Sequence, residues 1–135
     1  TGIRVGIAAA HGLAIGWGIE IAGMSSLALL AAGAGVPVGV AVQGGHGELF
    51  VEQFDDLACP TPMLNCTPAA AAKLITSDVI VGSGAVALVD ARGAGQARDA
   101  LPSALNALRV PESLRTLAPK PLYARAPDAR AKEAA

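Results

Sequence analysis

Few side chains in this 135-residue chain have the type and spacing that chemistry requires. The histidines are His11 and His46, far apart in sequence. A dedicated zinc site takes its ligands in closely spaced pairs, and no His pair at helical spacing is present. Cys59 and Cys66 do not have the spacing of a zinc pair or a redox motif. With no sign of export they read as free thiols in a reducing cytosol. Ser83 stands in Val81-Gly82-Ser83-Gly84, half of a nucleophile elbow. The elbow requires Gly-x-Ser-x-Gly, and position 85 is Ala, so a glycine turn after a strand is the better reading. The same turn approaching a nucleotide would be a weak signal without a Walker sequence, and none is present. Asp55 and Asp56 are adjacent, so in a strand they point to opposite faces and are solvated rather than paired. No nucleophile, base and oxyanion hole assemble from these residues. No catalytic, cofactor-binding or metal residue is assigned, and the chain reads as a binding or scaffold module.

Whatever the chain binds must be held by elements built from small residues. Hydrophobic residues make up 53% of the sequence but aromatics only 3%, so the core is one of Ala, Val, Leu and Ile. The length suits one domain or a piece of a larger one. Residues 1–90 carry a net charge of −5 and residues 91–135 a net charge of +4. The basic end has one aromatic, Tyr123, and no Arg-Gly-Gly run, so it reads as a solvated tail rather than a nucleic-acid groove. Ile21 to Val42 is an uncharged run of 22 residues, long enough to cross a bilayer. Ser25-Ser26, Gly33, Gly35 and Pro37 cut it, and no Lys or Arg flanks it as a topology signal. It reads as strand, helix and strand of an α/β core.

The pattern predicts a helix from the first residues and a short strand over Glu20–Met24. Ser25 or Ser26 then caps a helix that runs to about Ala34, ended by Gly33, Gly35 and Pro37. A Val-rich strand follows at Val38–Gln43, then a turn at Gly44–Gly47. A strand at Glu48–Phe54 alternates and keeps at least one half-exposed face. Residues 55–66 form an acidic connection. Thr67-Pro68 starts a helix over Ala69–Ile75, and Asp78–Gly82 is a buried strand. An Ala-rich helical region interrupted by Gly93, Gly95 and Pro102 leads to a last helix over Glu112–Leu117. The remainder is an extended tail, disordered from Asp128.

The first helix has an unusual surface. Ile3, Ile7, Ala10, Ala14 and Trp17 share one face, a core-type stripe. Arg4, Ala8, His11 and Ile15 share a second face with the segment's ionisable groups. Gly2, Gly6, Gly12 and Gly16 lie on the far side. Each glycine costs about 1 kcal/mol of helix stability relative to Ala, so four of them imply close approach by another backbone. Tight packing on a sheet and a partner surface both satisfy that. An apolar helix opening at Thr1, with no Met or strand ahead of it, leads to the expectation that the natural product begins further upstream.

Four segments carry a family resemblance. They are Thr1-Gly2-Ile3-Arg4-Val5-Gly6, Gly23-Met24-Ser25-Ser26-Leu27, Gly47-Glu48-Leu49-Phe50, and Pro121-Leu122-Tyr123-Ala124-Arg125. In type and order they resemble the TsaB (YeaZ) family. The resemblance implies an α/β chain with the actin-like ATPase (RNase H-like) superfold. Residues 1–36 would be the end of the first lobe with an interface helix, 37–118 the second α/β lobe, and 119–135 an extended C-terminal tail. It implies a cytoplasmic, non-catalytic scaffold or activating subunit of the bacterial threonylcarbamoyl-transfer complex, which modifies adenosine next to the tRNA anticodon. The implied partners are a TsaD-like catalytic paralogue and a TsaE-like ATPase. A homodimer when the partner is absent, indirect tRNA association and no membrane complete that picture. Arg4, Ala8, His11, Ile15, Gly2, Gly6 and Gly12 are the expected partner interface, and no cofactor is expected. The competing reading is a nucleotide-binding enzyme of the same superfold, kinase or M22-type peptidase-like. The sequence departs from the family at Gln43-Gly44-Gly45, where the family often has Asp-Ala-Arg, and over residues 55–66 and 93–111.

Overall fold

Two hydroxyl caps start helices where the sequence places them. The Ser25 side chain accepts from the Ala28 amide at 3.2 Å, and Thr67 accepts from the Ala70 amide at 3.3 Å. Each satisfies an amide that the first helical turn leaves without a partner. The computed structural model describes residues 2–123. Their order is α1 (Gly2–Trp17), α2 (Ser26–Ala34), β1 (Val38–Gln43), β2 (Leu49–Phe54), β3 (Leu64–Cys66), α3 (Pro68–Leu74), β4 (Val79–Val81), α4 (Ala85–Arg92), β5 (Gln96–Arg98) and α5 (Glu112–Arg115). Short 3-10 turns cover Gly45–Gly47 and Ala104–Arg109.

The strands form one mixed sheet in the order β3-β2-β1-β4-β5. β1 and β2 pair antiparallel from Val38↔Phe54 to Gln43↔Leu49, a hairpin closed by Gly44–Gly47. β4 pairs parallel with β1, and β5 parallel with β4, because helical crossovers return the chain to the same end. Alternation along the strands divides the core in two. Val38, Val40, Phe54 and Val81 pack with Leu27, Leu30 and Ala31 of α2. Ala41, Leu49, Val51 and Ile80 pack on the other face with Ala71 of α3 and Leu88 of α4. The alanines let the helices sit close: Ala28, Ala31, Ala71 and Ala85 are wholly buried. α2 shares its core with β1.

Several expectations need correction. Glu20–Met24 is not a strand; Gly23 alone makes an isolated bridge to Leu117. The bridge belongs to none of the five strands of the sheet, so no ladder extends from it. β2 has no half-exposed face: five of its six residues are buried, including Glu52 and Gln53. It is the second of five strands and helices cover both faces, which alternation of residue types cannot reveal. β3 and β5 lie inside stretches expected to be a connection and a broken helix. Each is three residues long, and β5 is fully exposed, so neither leaves an apolar period to read. The stretch after Pro102 is a 3-10 turn over Ala104–Arg109 rather than an α-helix. Of the expected tail, residues 119–123 are neither helix nor strand, and 124–135, with Arg125 and Asp128, lie outside the described residues. No helix among the described residues is long and apolar enough to cross a membrane.

Candidate functional site

Ser83, Asp55 and Asp56 have structural partners instead of chemical roles. The Ser83 hydroxyl accepts from the Gln43 amide at 3.1 Å and ties the ends of β1 and β4 together. Gly82 beside it has φ +114°, and a Cβ there would collide with the Ala41 carbonyl. The turn therefore needs glycine for backbone reasons. Asp55 accepts from the Gln53 side-chain amide at 2.6 Å, and Asp56 from the Ala58 amide at 3.0 Å. Cys59 and Cys66 are both free thiols. Burial, and then the nearby Glu48 carboxylate, push the Cys66 thiol up, which makes it a poor nucleophile. Among the described residues no three His, Cys, Asp or Glu side chains converge on a common point.

Two polar arrangements escaped the sequence reading. The Gln53 side chain donates to the Ser77 hydroxyl at 2.6 Å and accepts from the Thr76 and Ser77 amides at 3.2 and 3.3 Å. The Arg92 guanidinium donates to the carbonyls of Ile75, Ser77 and Ala94 at 3.2, 2.7 and 2.8 Å. Together they fix the 75–78 connection, a scaffold role. Glu52 is the other case. It points to the α2 side of the sheet with Phe54, and burial raises its carboxyl to about 7. A charged type on a strand gave no hint of that, because the outward position it normally marks does not exist here.

α1 is where an external surface is concentrated. Ala14 is its one buried residue. The expected core stripe is overturned in part: Ile3 and Trp17 are 68% and 67% exposed, and Ala10 is exposed too. The side of the helix toward the body keeps Ile7 and Ala14 from that stripe and adds His11 from the neighbouring face. Segment 119–123 lies there. Arg4, Ile7, Ala8, His11, Pro121 and Tyr123 line a groove of about 390 Å³. The Arg4 Nε donates to the Tyr123 hydroxyl, and its guanidinium carbon lies 5.2 Å from the Tyr123 ring centre. A His11 ring nitrogen meets the Pro119 carbonyl at 3.3 Å.

The expected interface residues therefore separate. Arg4, Ala8 and His11 meet the chain's own C-terminal segment. Ile15, on the same helical face, is 82% exposed. Among the described residues nothing lies within 4 Å of where a Cβ would stand at Gly2, Gly6, Gly12 or Gly16. Val5, Leu13 and Trp17 border that glycine side and are all more than half exposed. A face of small residues edged by exposed apolar ones allows another helix to approach closely.

Residues 1–59, which run from α1 past the end of β2, match the family model described as TsaD: tRNA N6-adenosine threonylcarbamoyltransferase. No curated protein matches the chain. The mixed α/β sheet with helices on both faces has the actin-like ATPase (RNase H-like) fold of that family. Over its first 59 residues the chain is thus similar to the TsaD superfamily, whose family model concerns threonylcarbamoyladenosine modification of tRNA.

Proposed function

We propose that the protein serves tRNA threonylcarbamoyladenosine modification as a non-catalytic scaffold or activating subunit, of the TsaB type, for a TsaD-like catalytic paralogue. The observation that carries the reading is the open glycine face of α1, within the segment that matches the TsaD family. Burying Val5, Leu13 and Trp17 against a partner helix supplies a hydrophobic gain of about 25 cal/mol per Å². The glycines let the two backbones come close enough to collect it. In this reading the paralogue carries the chemistry, a TsaE-like ATPase joins the pair, tRNA associates indirectly, and the site of action is the cytoplasm. Two copies of the chain would use the same face in the paralogue's absence.

The test is co-purification of the whole protein with the TsaD-type paralogue of the same organism, with light scattering on the eluted species. Wild type gives a stable one-to-one or two-to-two complex. Gly6→Leu and Gly12→Leu fold normally, because their side chains enter open space, and they lose the complex. A folded wild-type monomer that ignores the paralogue at low and moderate salt would refute the reading. So would leucine variants that bind as wild type does.

A further inference from the structure

We propose that segment Pro119–Tyr123 is a strap that holds α1 in the pose its open face requires, clasping it at two points through His11 and Arg4. α1 has little of its own to hold it in place. It has one buried residue and four glycines, and no acidic residue in its first turn. A helix of that length and composition is marginal by itself. Its C-terminal end is fixed locally: Gly18 adopts φ +65°, and the Ile19 amide donates to the Ala14 carbonyl at 3.0 Å. Among the described residues its N-terminal half has no comparable local tie. Arg4 even sits where the helix dipole disfavours a cation. Its reason for being there is Tyr123, which offers it both a hydroxyl acceptor and a ring face.

The geometry of the strap fits the helix. His11 and Arg4 are two turns apart, about 10 Å at 1.5 Å per residue. Pro119 and Tyr123 are four residues apart, about 13 Å when extended. The strap therefore runs antiparallel to α1, with one contact at each end and Pro121 in the groove between them. Its base is anchored independently. Gly23 and Leu117 exchange backbone hydrogen bonds, Gly23 donating at 2.6 Å and Leu117 at 3.0 Å. A Cβ on Gly23 would stand 2.5 Å from the Ala118 carbonyl oxygen, so the strap crosses where only glycine leaves room. The strap covers the Arg4–Ala8–His11 side and leaves the glycine side clear.

The strap is tested by hydrogen exchange on the whole protein, read at α1 and at β1 and β2 amides, in wild type, Tyr123→Ala and Arg4→Gln. The expected result is about tenfold faster exchange over the first half of α1 in both variants, with the sheet amides unchanged. Unchanged α1 amides would overturn the proposal. So would equal acceleration of α1 and the sheet in both variants, since the segment would then hold the whole fold. A second arm rests on the proposed scaffold role: affinity for the TsaD-type paralogue falls about tenfold in Tyr123→Ala. A rise in affinity would mean that the strap blocks the helix and would reject the positioning role. If wild type does not bind the paralogue, the scaffold reading fails while the exchange result still decides the strap.

Discussion

Replacing Glu52 by Gln removes a carboxyl that the fold buries and keeps the side chain's shape. Glu52 is 8% exposed, and burial raises its carboxyl from 4.5 to about 7. The native state therefore holds this proton up to about pH 7, while the unfolded chain releases it near 4.5. Between those values the native state binds more protons than the unfolded state, so stability falls as pH rises through the window and then levels. The gap corresponds to roughly 3 kcal/mol at 1.36 kcal/mol per tenfold change in proton affinity. Residual solvent screening reduces this to about 2 kcal/mol. Gln carries no charge at any pH, so Glu52→Gln should match wild type to within about 0.5 kcal/mol at pH 5 and exceed it by about 2 kcal/mol at pH 8. Urea unfolding at half-unit steps from pH 5 to pH 8, with linear extrapolation, reads both quantities. A constant gap between the two proteins across that range would refute the reasoning. So would a wild type that gains stability as pH rises.

Two further outcomes follow from the core. Gln53→Ala leaves the Thr76 and Ser77 amides without their acceptor and should cost about 2–3 kcal/mol; a loss below about 0.5 kcal/mol in urea unfolding would show that the 75–78 connection does not depend on it. Gly82→Ala puts a Cβ against the Ala41 carbonyl at a φ that L residues rarely adopt. It should cost more than about 3 kcal/mol or leave the protein insoluble, and a soluble variant with near-wild-type stability by circular dichroism melts would contradict the strained turn.

Local chemistry made much of this chain legible from its sequence. Helices had to start at Ser25 or Ser26 and at Thr67, because a hydroxyl beside a run of helix formers satisfies free amides; the structure selects Ser25 for the first. Val38–Gln43 had to be a strand, and the glycines at 44–47 had to turn it back, because branched residues and glycines restrict the backbone in opposite ways. α1 and its glycine side were equally visible, since they follow from helical spacing alone. The tertiary structure decided what neighbours do. It buried β2 on both faces and so lifted the Glu52 carboxyl, which no alternation pattern announces. It found room for β3 and β5, three-residue strands whose existence depends on a partner edge rather than on their own side chains. It covered only one edge of the apolar stripe of α1, Ile7 and Ala14, together with His11 from the neighbouring face, where residues 119–123 return across more than a hundred residues of chain. Periodicity states which residues share a face of a helix; only the rest of the chain, folded around it, selects the face that is covered.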